Sequence, residues 1–402
     1  MLSTENTRRY DVDWLRIIAL GVLIFYHLGM YYVADWEWHL KSSNQSEFLQ
    51  DLMLLVNPWR MSLLFFISGM TLALIQPKYD NVSLIRIRWK RLGIPLIFGM
   101  LVIVPPQLYY ELKSSIHYSQ DYVDFYLHYI DINTALAPHK QSVLGLITWN
   151  HLWYLAYLLV YTFIYILFSP LLTRVCSSNW FRHLSPVYLL LAAFLLLFLV
   201  KASLRSQFEV TNALLDDWYN HARYFLMLLC GFMLVSHKTT WFLLEVYWKR
   251  CFMIACCTFS FGIMDKHGYF STLASLYDSH LTVRALYYFN STLNTWAWIC
   301  TAIGAAAYYL NKPHRYLAIC NESVLPIYIL HQTLIILFAV WLAPFTLPPL
   351  AEAFVIVLLV LCVSAAAFQL IRRINLLRFL FGLSPNKTLS GHPLRLRPEN
   401  VE

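Results

Sequence analysis

Residues 14–33 read Trp14-Leu15-Arg16-Ile17-Ile18-Ala19-Leu20-Gly21-Val22-Leu23-Ile24-Phe25-Tyr26-His27-Leu28-Gly29-Met30-Tyr31-Tyr32-Val33. An α-helix needs about 20 mainly apolar residues to cross a bilayer, so this stretch is expected to span one. It is too long for a signal-peptide core, and the Ala34-Asp35-Trp36 that follows is no small-residue cleavage site; the segment should stay in the mature protein.

Nine more windows of this kind follow, at residues 59–75, 92–110, 152–168, 186–200, 222–235, 251–264, 285–310, 323–343 and 350–371. The fifth, sixth and seventh of the ten are short and need flanking residues such as Phe181, Tyr219 or Tyr247 to reach full length, which leaves nine or eleven spans open. Composition agrees with a membrane protein. Of 402 residues 59% are hydrophobic and 13% charged, where a soluble domain carries about 25% charged residues to cover its surface. The mean hydropathy is +0.53. A disordered chain, a disulfide scaffold and a soluble nucleic-acid binder are thereby excluded, despite a net charge of +8.

Charge sorts with the windows. With alternate loops assigned to opposite sides, 21 Lys and Arg fall on one side and 6 on the other, while carboxylates divide 8 and 14 the opposite way. By the positive-inside rule this predicts an all-α, polytopic helix bundle of about ten transmembrane helices with both termini in the cytoplasm. Residues 1–383 read as one membrane domain and 384–402, with Pro385, Pro393 and Pro398 among basic residues, as a mobile cytoplasmic tail. The 8 Cys include no C-x-x-C pair, and no metal site is expected.

Ionisable groups inside spans are costly and therefore functional candidates. Arg16 and His27 are eleven residues apart, which on a helix places them on one face about 16 Å from each other, Arg16 at the cytoplasmic mouth and His27 deep. The alternative is a snorkelling Arg beside a His satisfied by a neighbouring helix, with Asp13 as the salt-bridge partner of Arg16. Arg88 and Arg91 share a face at the start of the third window and could grip a polyanion, although a basic loop there also serves as a membrane anchor. Ser68 should lie at a depth similar to His27; Ser68-Gly69 also reads as a small-residue helix contact. His331 lies within the ninth window and Pro326 should loosen the backbone before it. His151 and Trp153 at the outer start of the fourth window, with Trp36, Trp38 and Trp149, suit a sugar-stacking platform or an ordinary interfacial belt.

The Arg16 to His27 spacing, Phe65-Phe66-Ile67-Ser68-Gly69 and Arg88-x-x-Arg91 together resemble the acyltransferase 3 family of bacterial membrane O-acyltransferases. Within it, Arg60-Met61, Arg91-Leu92-Gly93-Ile94-Pro95, His151-Leu152-Trp153-Tyr154 and Ile327-Tyr328-Ile329-Leu330-His331 look most like the glucan biosynthesis protein C branch, which succinylates periplasmic glucans. The likeness runs from about residue 8 to 383.

The resemblance implies an inner-membrane enzyme that moves a succinyl or acetyl group from cytoplasmic acyl-CoA to a hydroxyl of a glycan on the outer side. His27 would be the general base, with Ser68 and His331 as further catalytic candidates. Arg16, Arg88 and Arg91 would hold the donor phosphates; Arg60, His151 and Trp153 would meet the acceptor. The competing reading is a transporter or flippase of an envelope glycan or lipid precursor, which predicts an internal inverted repeat that the sequence does not display.

Overall fold

The computed structural model describes residues 9–134, 136, 142 and 144–386. From residue 387 onward the expected tail lies outside the described residues. Apart from one isolated bridge between Ser142 and Gly145, the regular structure among the described residues is helical. The helices are α1 Tyr10–Tyr32, α2 Glu47–Val56, α3 Arg60–Ile75, α4 Asn81–Ser115, α5 Tyr122–Ile130, α6 Trp153–Ser177, α7 Pro186–Leu204, α8 Trp218–Ser236, α9 Lys238–Lys266, α10 Leu281–Leu310, α11 Leu317–Leu342, α12 Pro349–Arg373 and α13 Asn375–Leu380.

Each of the ten apolar windows falls on one of these helices. By length and apolarity, however, seven helical segments among the described residues are fit to cross a membrane, or eight if the pair α8 and α9 makes one span bent by 101°. The chain is a multi-pass membrane helix bundle, and its span count by this criterion is below ten. The shortfall has a physical source in α10. That helix carries Asn290 and Asn294, whose amides reach α9 at the carbonyl of Thr258 (3.2 Å) and at the carbonyl of Ala255 (3.1 Å). Polar groups that join helices inside the bundle lower apparent hydropathy without exposing anything polar to lipid.

α4 contains two π-helical turns, Trp89–Gly93 and Gly99–Ile103, each followed by proline. Pro95 and Pro105 lack the N–H that an α-helix would direct at Arg91 and Leu101, so the preceding residues take wider bonds, Val104 N–H to the Gly99 carbonyl at 2.9 Å. Carbonyls left over by the second turn are capped from outside the helix. Tyr129 donates to Met100 O (2.7 Å), Tyr126 to Leu101 O (3.0 Å) and Thr333 to Ile103 O (2.7 Å). Helix α5 and its tyrosines, in the long loop after α4, thus repair a backbone that prolines interrupt.

Helices α3 and α8 cross in close backbone contact. A Cβ built on Gly69 would lie 1.8 Å from the carbonyl oxygen of Leu228, and one on Gly231 would lie 1.9 Å from that of Phe66. The two alternatives for Ser68-Gly69 therefore divide between the residues: Gly69 makes the backbone contact, while Ser68 faces the site described next.

Candidate active site

Three imidazoles from three elements meet beside α1. His27 Nδ1 is 2.9 Å from His331 Nε2, and the two rings are stacked at 5.0 Å with planes 7° apart. His151, just ahead of α6, stands edge-on to His331 at 5.2 Å. Hydrogen bonds assign the protons. His331 Nδ1 is 2.6 Å from the carbonyl of Tyr328, which only accepts, so Nδ1 carries the hydrogen and Nε2 of a neutral ring offers a lone pair. His27 Nδ1–H then donates to that lone pair, leaving His27 Nε2 unprotonated. Pro326, one helical turn before Leu330, sits inside α11 on the approach to this pair.

His151 is held differently. Its Nε2 lies 3.1 Å from the Ile329 carbonyl and its Nδ1 accepts from the Gln107 amide at 3.2 Å, so both nitrogens are engaged by protein. It is buried with Gln107, which also donates to Thr333 (2.7 Å) and accepts from Gln332 (3.0 Å). The structure thus brings His151 to the histidine pair and not to an outer platform. Trp153 is likewise half-buried, packed against Phe65, Tyr157 and Tyr224. Both follow from α6 starting inside the bundle, so that its first turn packs against α3, α8 and α11. Arg60 begins α3, its guanidinium 3.4 Å above the ring of Tyr26, the residue next to His27. Among the described residues no set of three His, Cys, Asp or Glu is arranged to hold a metal ion.

Arg16, Arg88 and Arg91, drawn from α1 and α4, line one cavity of about 560 Å³. Asp13 neutralises Arg16 at 3.1 Å, as its spacing suggests, and Thr71 accepts a second bond from the same guanidinium. Among the described residues Arg88 has no such partner: it is 7% exposed, and its Nε and one terminal nitrogen make no hydrogen bond. A buried guanidinium with unused donors costs several kcal/mol unless an anion meets it. Lys78 and Arg9 also line the cavity. Arg9 is already committed, paired with Asp11 at 2.6 Å and lying over Trp241 at 3.7 Å.

The cavity's far end is made by Leu23, Ser68, Tyr154 and Tyr328. Leu23 is one helical turn below His27, and Ser68 Oγ bonds Tyr154 Oη at 2.6 Å rather than reaching the histidine. Neither His27 nor His331 lines the cavity, but Leu23, one turn from His27, and Tyr328, whose carbonyl meets His331 Nδ1, do. Sequence reasoning did not select Tyr154, Tyr328 or Gln107 as site residues. Tyr154 and Tyr328 stand inside the motifs quoted above, but aromatic residues at membrane ends are common, and only packing tells a closing contact from a belt.

The sequence profile of an acyltransferase domain, acyltransferase 3, matches residues 9–369. Among curated proteins the chain is similar to "Glucans biosynthesis protein C" of Salmonella paratyphi B and of Salmonella enteritidis, 23% identical over 96% of this chain and 97% of theirs. The protein of the same name from Salmonella gallinarum is 22% identical over the same shares. No solved structure matches.

Proposed function

The chain belongs to the acyltransferase 3 family, and from that premise we propose that it transfers a succinyl or acetyl group from cytoplasmic acyl-CoA to a hydroxyl of an extracytoplasmic glycan, across the bacterial inner membrane. The observation that carries the reading is the pairing of a cavity that holds the unneutralised Arg88 with a histidine oriented as a base one helical turn beyond its lining residue Leu23. The excess of Lys and Arg in the loops on the Arg16 and Arg88 side supports a cytosolic position for that cavity, where acyl-CoA is made.

In this reading Arg16, Arg88 and Arg91 bind the donor's phosphates, and Lys78 adds a fourth cation. Charge-assisted bonds to phosphate are among the stronger ones, and two guanidinium forks fit it bidentately. A cavity of this size is ordinary for a cofactor-sized ligand. The pantetheine arm points toward His27, and the Ser68–Tyr154 hydrogen bond must open for the thioester to pass. His27 Nε2 takes the acceptor's hydroxyl proton while its oxygen bonds to the acyl carbon and the carbon–sulfur bond breaks; the thiolate leaves with little acid assistance. His331 holds His27 in the reactive tautomer and stabilises the imidazolium as it forms. Arg60 stands on the acceptor side.

Mass spectrometry of envelope glycans from cells with and without the protein tests the function. An acyl substituent that disappears with the gene supports it and names both acyl group and acceptor. Unchanged glycans, with a glycan or lipid precursor retained on one side of the membrane, would favour the flippase. The donor site has its own test: Arg88→Ala should raise the KM for acyl-CoA at least about tenfold, the loss of one charge-assisted contact. Lys90→Ala, which removes a cation that does not line the cavity, should not. Equal effects of the two would return this loop to membrane anchoring.

A further inference from the structure

A second cavity of about 730 Å³ lies among the C-terminal turn of α7, the loop after it and the first turns of α10. It is at the opposite end of the bundle from the arginine cavity. Lys201 on its wall donates to Ser291 of α10, and one turn on, Thr295 donates to the carbonyl of Pro58 at 3.4 Å. Pro58 precedes α3, whose other half carries Thr71, the partner of Arg16.

The lining is built for an anion. Lys201, Arg205 and Arg284 contribute cations and Tyr277, Tyr287 and Tyr288 contribute edges and hydroxyls. Arg223 approaches from α8, close enough to interact with both Lys201 and Arg60. Two carboxylates, Glu209 and Asp278, are also on the wall; they and Arg205 are exposed, whereas Lys201 and Arg284 are partly buried. Among the described residues no carboxylate is within ion-pair distance of Lys201, Arg205, Arg223 or Arg284. Arg284 is instead fixed by backbone carbonyls, of Tyr277 at 3.3 Å and Asp278 at 2.7 Å, which orient its fork without neutralising it. The nearby Asp265 takes the Tyr287 hydroxyl at 2.6 Å. Lys201, Arg223 and Arg284 are partly buried and have no carboxylate in ion-pair contact among the described residues, so a bound anion would lower the cost of holding them there.

We propose that this cavity is a binding site for a phosphate ester, its oxygens held by Lys201, Arg205 and Arg284 and its organic part lying against the tyrosines. Three cations at different positions suit the several oxygens of a phosphate better than a single carboxylate. The line Arg205, Lys201, Arg223, Arg60 leads from this cavity toward Tyr26 and His27, so the bound ester is either a substituent of the acceptor or the headgroup of a lipid beside it. The cations and tyrosines are in place whatever reaction His27 performs, so the site stands independently of the acyl-transfer reading.

The test uses the full chain in a zwitterionic detergent and two probes, sn-glycerol 1-phosphate and dihexanoyl phosphatidylglycerol, with glycerol and dihexanoyl phosphatidylcholine as controls. Binding is read from the shift in thermal unfolding midpoint against probe concentration. Lys201→Gln with Arg205→Gln should weaken the phosphate probe about tenfold or more, whereas Lys201→Arg should retain it. Arg88→Ala, in the other cavity, should leave it unchanged. Binding of the tail-free probe identifies a phosphate on a soluble acceptor; binding of phosphatidylglycerol alone identifies a lipid headgroup. No binding by either probe, or binding that survives the double substitution in a variant with a native-like midpoint, overturns the site. Acyl-CoA binding in the same samples shows whether the donor cavity is intact, so failure of this site and failure of the acyltransferase reading are told apart.

Discussion

His27→Ala is expected to lower acyl transfer by about 10² to 10⁴, the usual contribution of a general base, while the protein still inserts and folds. The effect follows from tautomer control. The carbonyl of Tyr328 fixes the hydrogen of His331 on Nδ1, and His331 in turn fixes that of His27 on Nδ1, so the lone pair of His27 Nε2 is the group this chain orients for taking a proton. Membranes containing the variant, supplied with labelled acyl-CoA and acceptor, give the measurement; transfer at the wild-type rate would remove His27 from the mechanism.

His331 acts through His27, and its substitutions should separate accordingly. His331→Gln keeps an acceptor for His27 Nδ1–H and should reduce kcat less than His331→Leu, with KM for either substrate little changed. A structural role alone predicts that both fall with protein abundance. If Leu and Gln variants are equally active per folded molecule, the positioning role is lost.

Gly69→Ala and Gly231→Ala carry the largest expected effect on folding. Real Cβ atoms essentially never come within 3.0 Å of such neighbours, yet here the new methyl would meet backbone carbonyls at 1.8 and 1.9 Å. A carbonyl inside a helix cannot rotate away, so α3 and α8 would have to separate by more than an ångström along their crossing. Overpacking of this kind costs about 1–3 kcal/mol and more where backbone must move. Since α3 carries Ser68 and Thr71, the shift would also open the arginine cavity. Expected outcomes are a lower unfolding midpoint in detergent and reduced abundance in membranes. Gly21→Ala is the internal control: nothing lies within 4 Å of its new methyl, and it should be neutral or slightly stabilising. Equal behaviour of all three variants would mean that the α3–α8 crossing is not a close backbone contact.

Membrane residence and the helical class were legible because a bilayer imposes a simple one-dimensional rule, some twenty apolar residues per crossing, that local sequence must obey. Span count was less legible. α10 hides its membrane character behind Asn290 and Asn294, and α8 and α9 pass the apolar test only as a bent pair, because polarity inside a bundle is invisible until the facing helix is known.

For the site, spacing along single helices was informative. The separation of Arg16 and His27 on α1 needs only helical periodicity, and Arg88 and Arg91 meet Arg16 in one cavity even though a π turn begins between them. What spacing could not supply is anything that depends on which helices touch. That His331 and not Ser68 contacts His27, that His151 is consumed by Gln107 and Ile329, and that Tyr154 closes the cavity are all outcomes of packing α1, α3, α6 and α11 together.

Sequence by itself therefore determined the solvent this chain lives in, its helical class and the family resemblance that led to His27 and the three arginines. Tertiary structure alone decided the partner of His27, the orphaned state of Arg88 and the second cation cavity, because hydrogen bonds and unmet charges are relations between residues far apart in the chain.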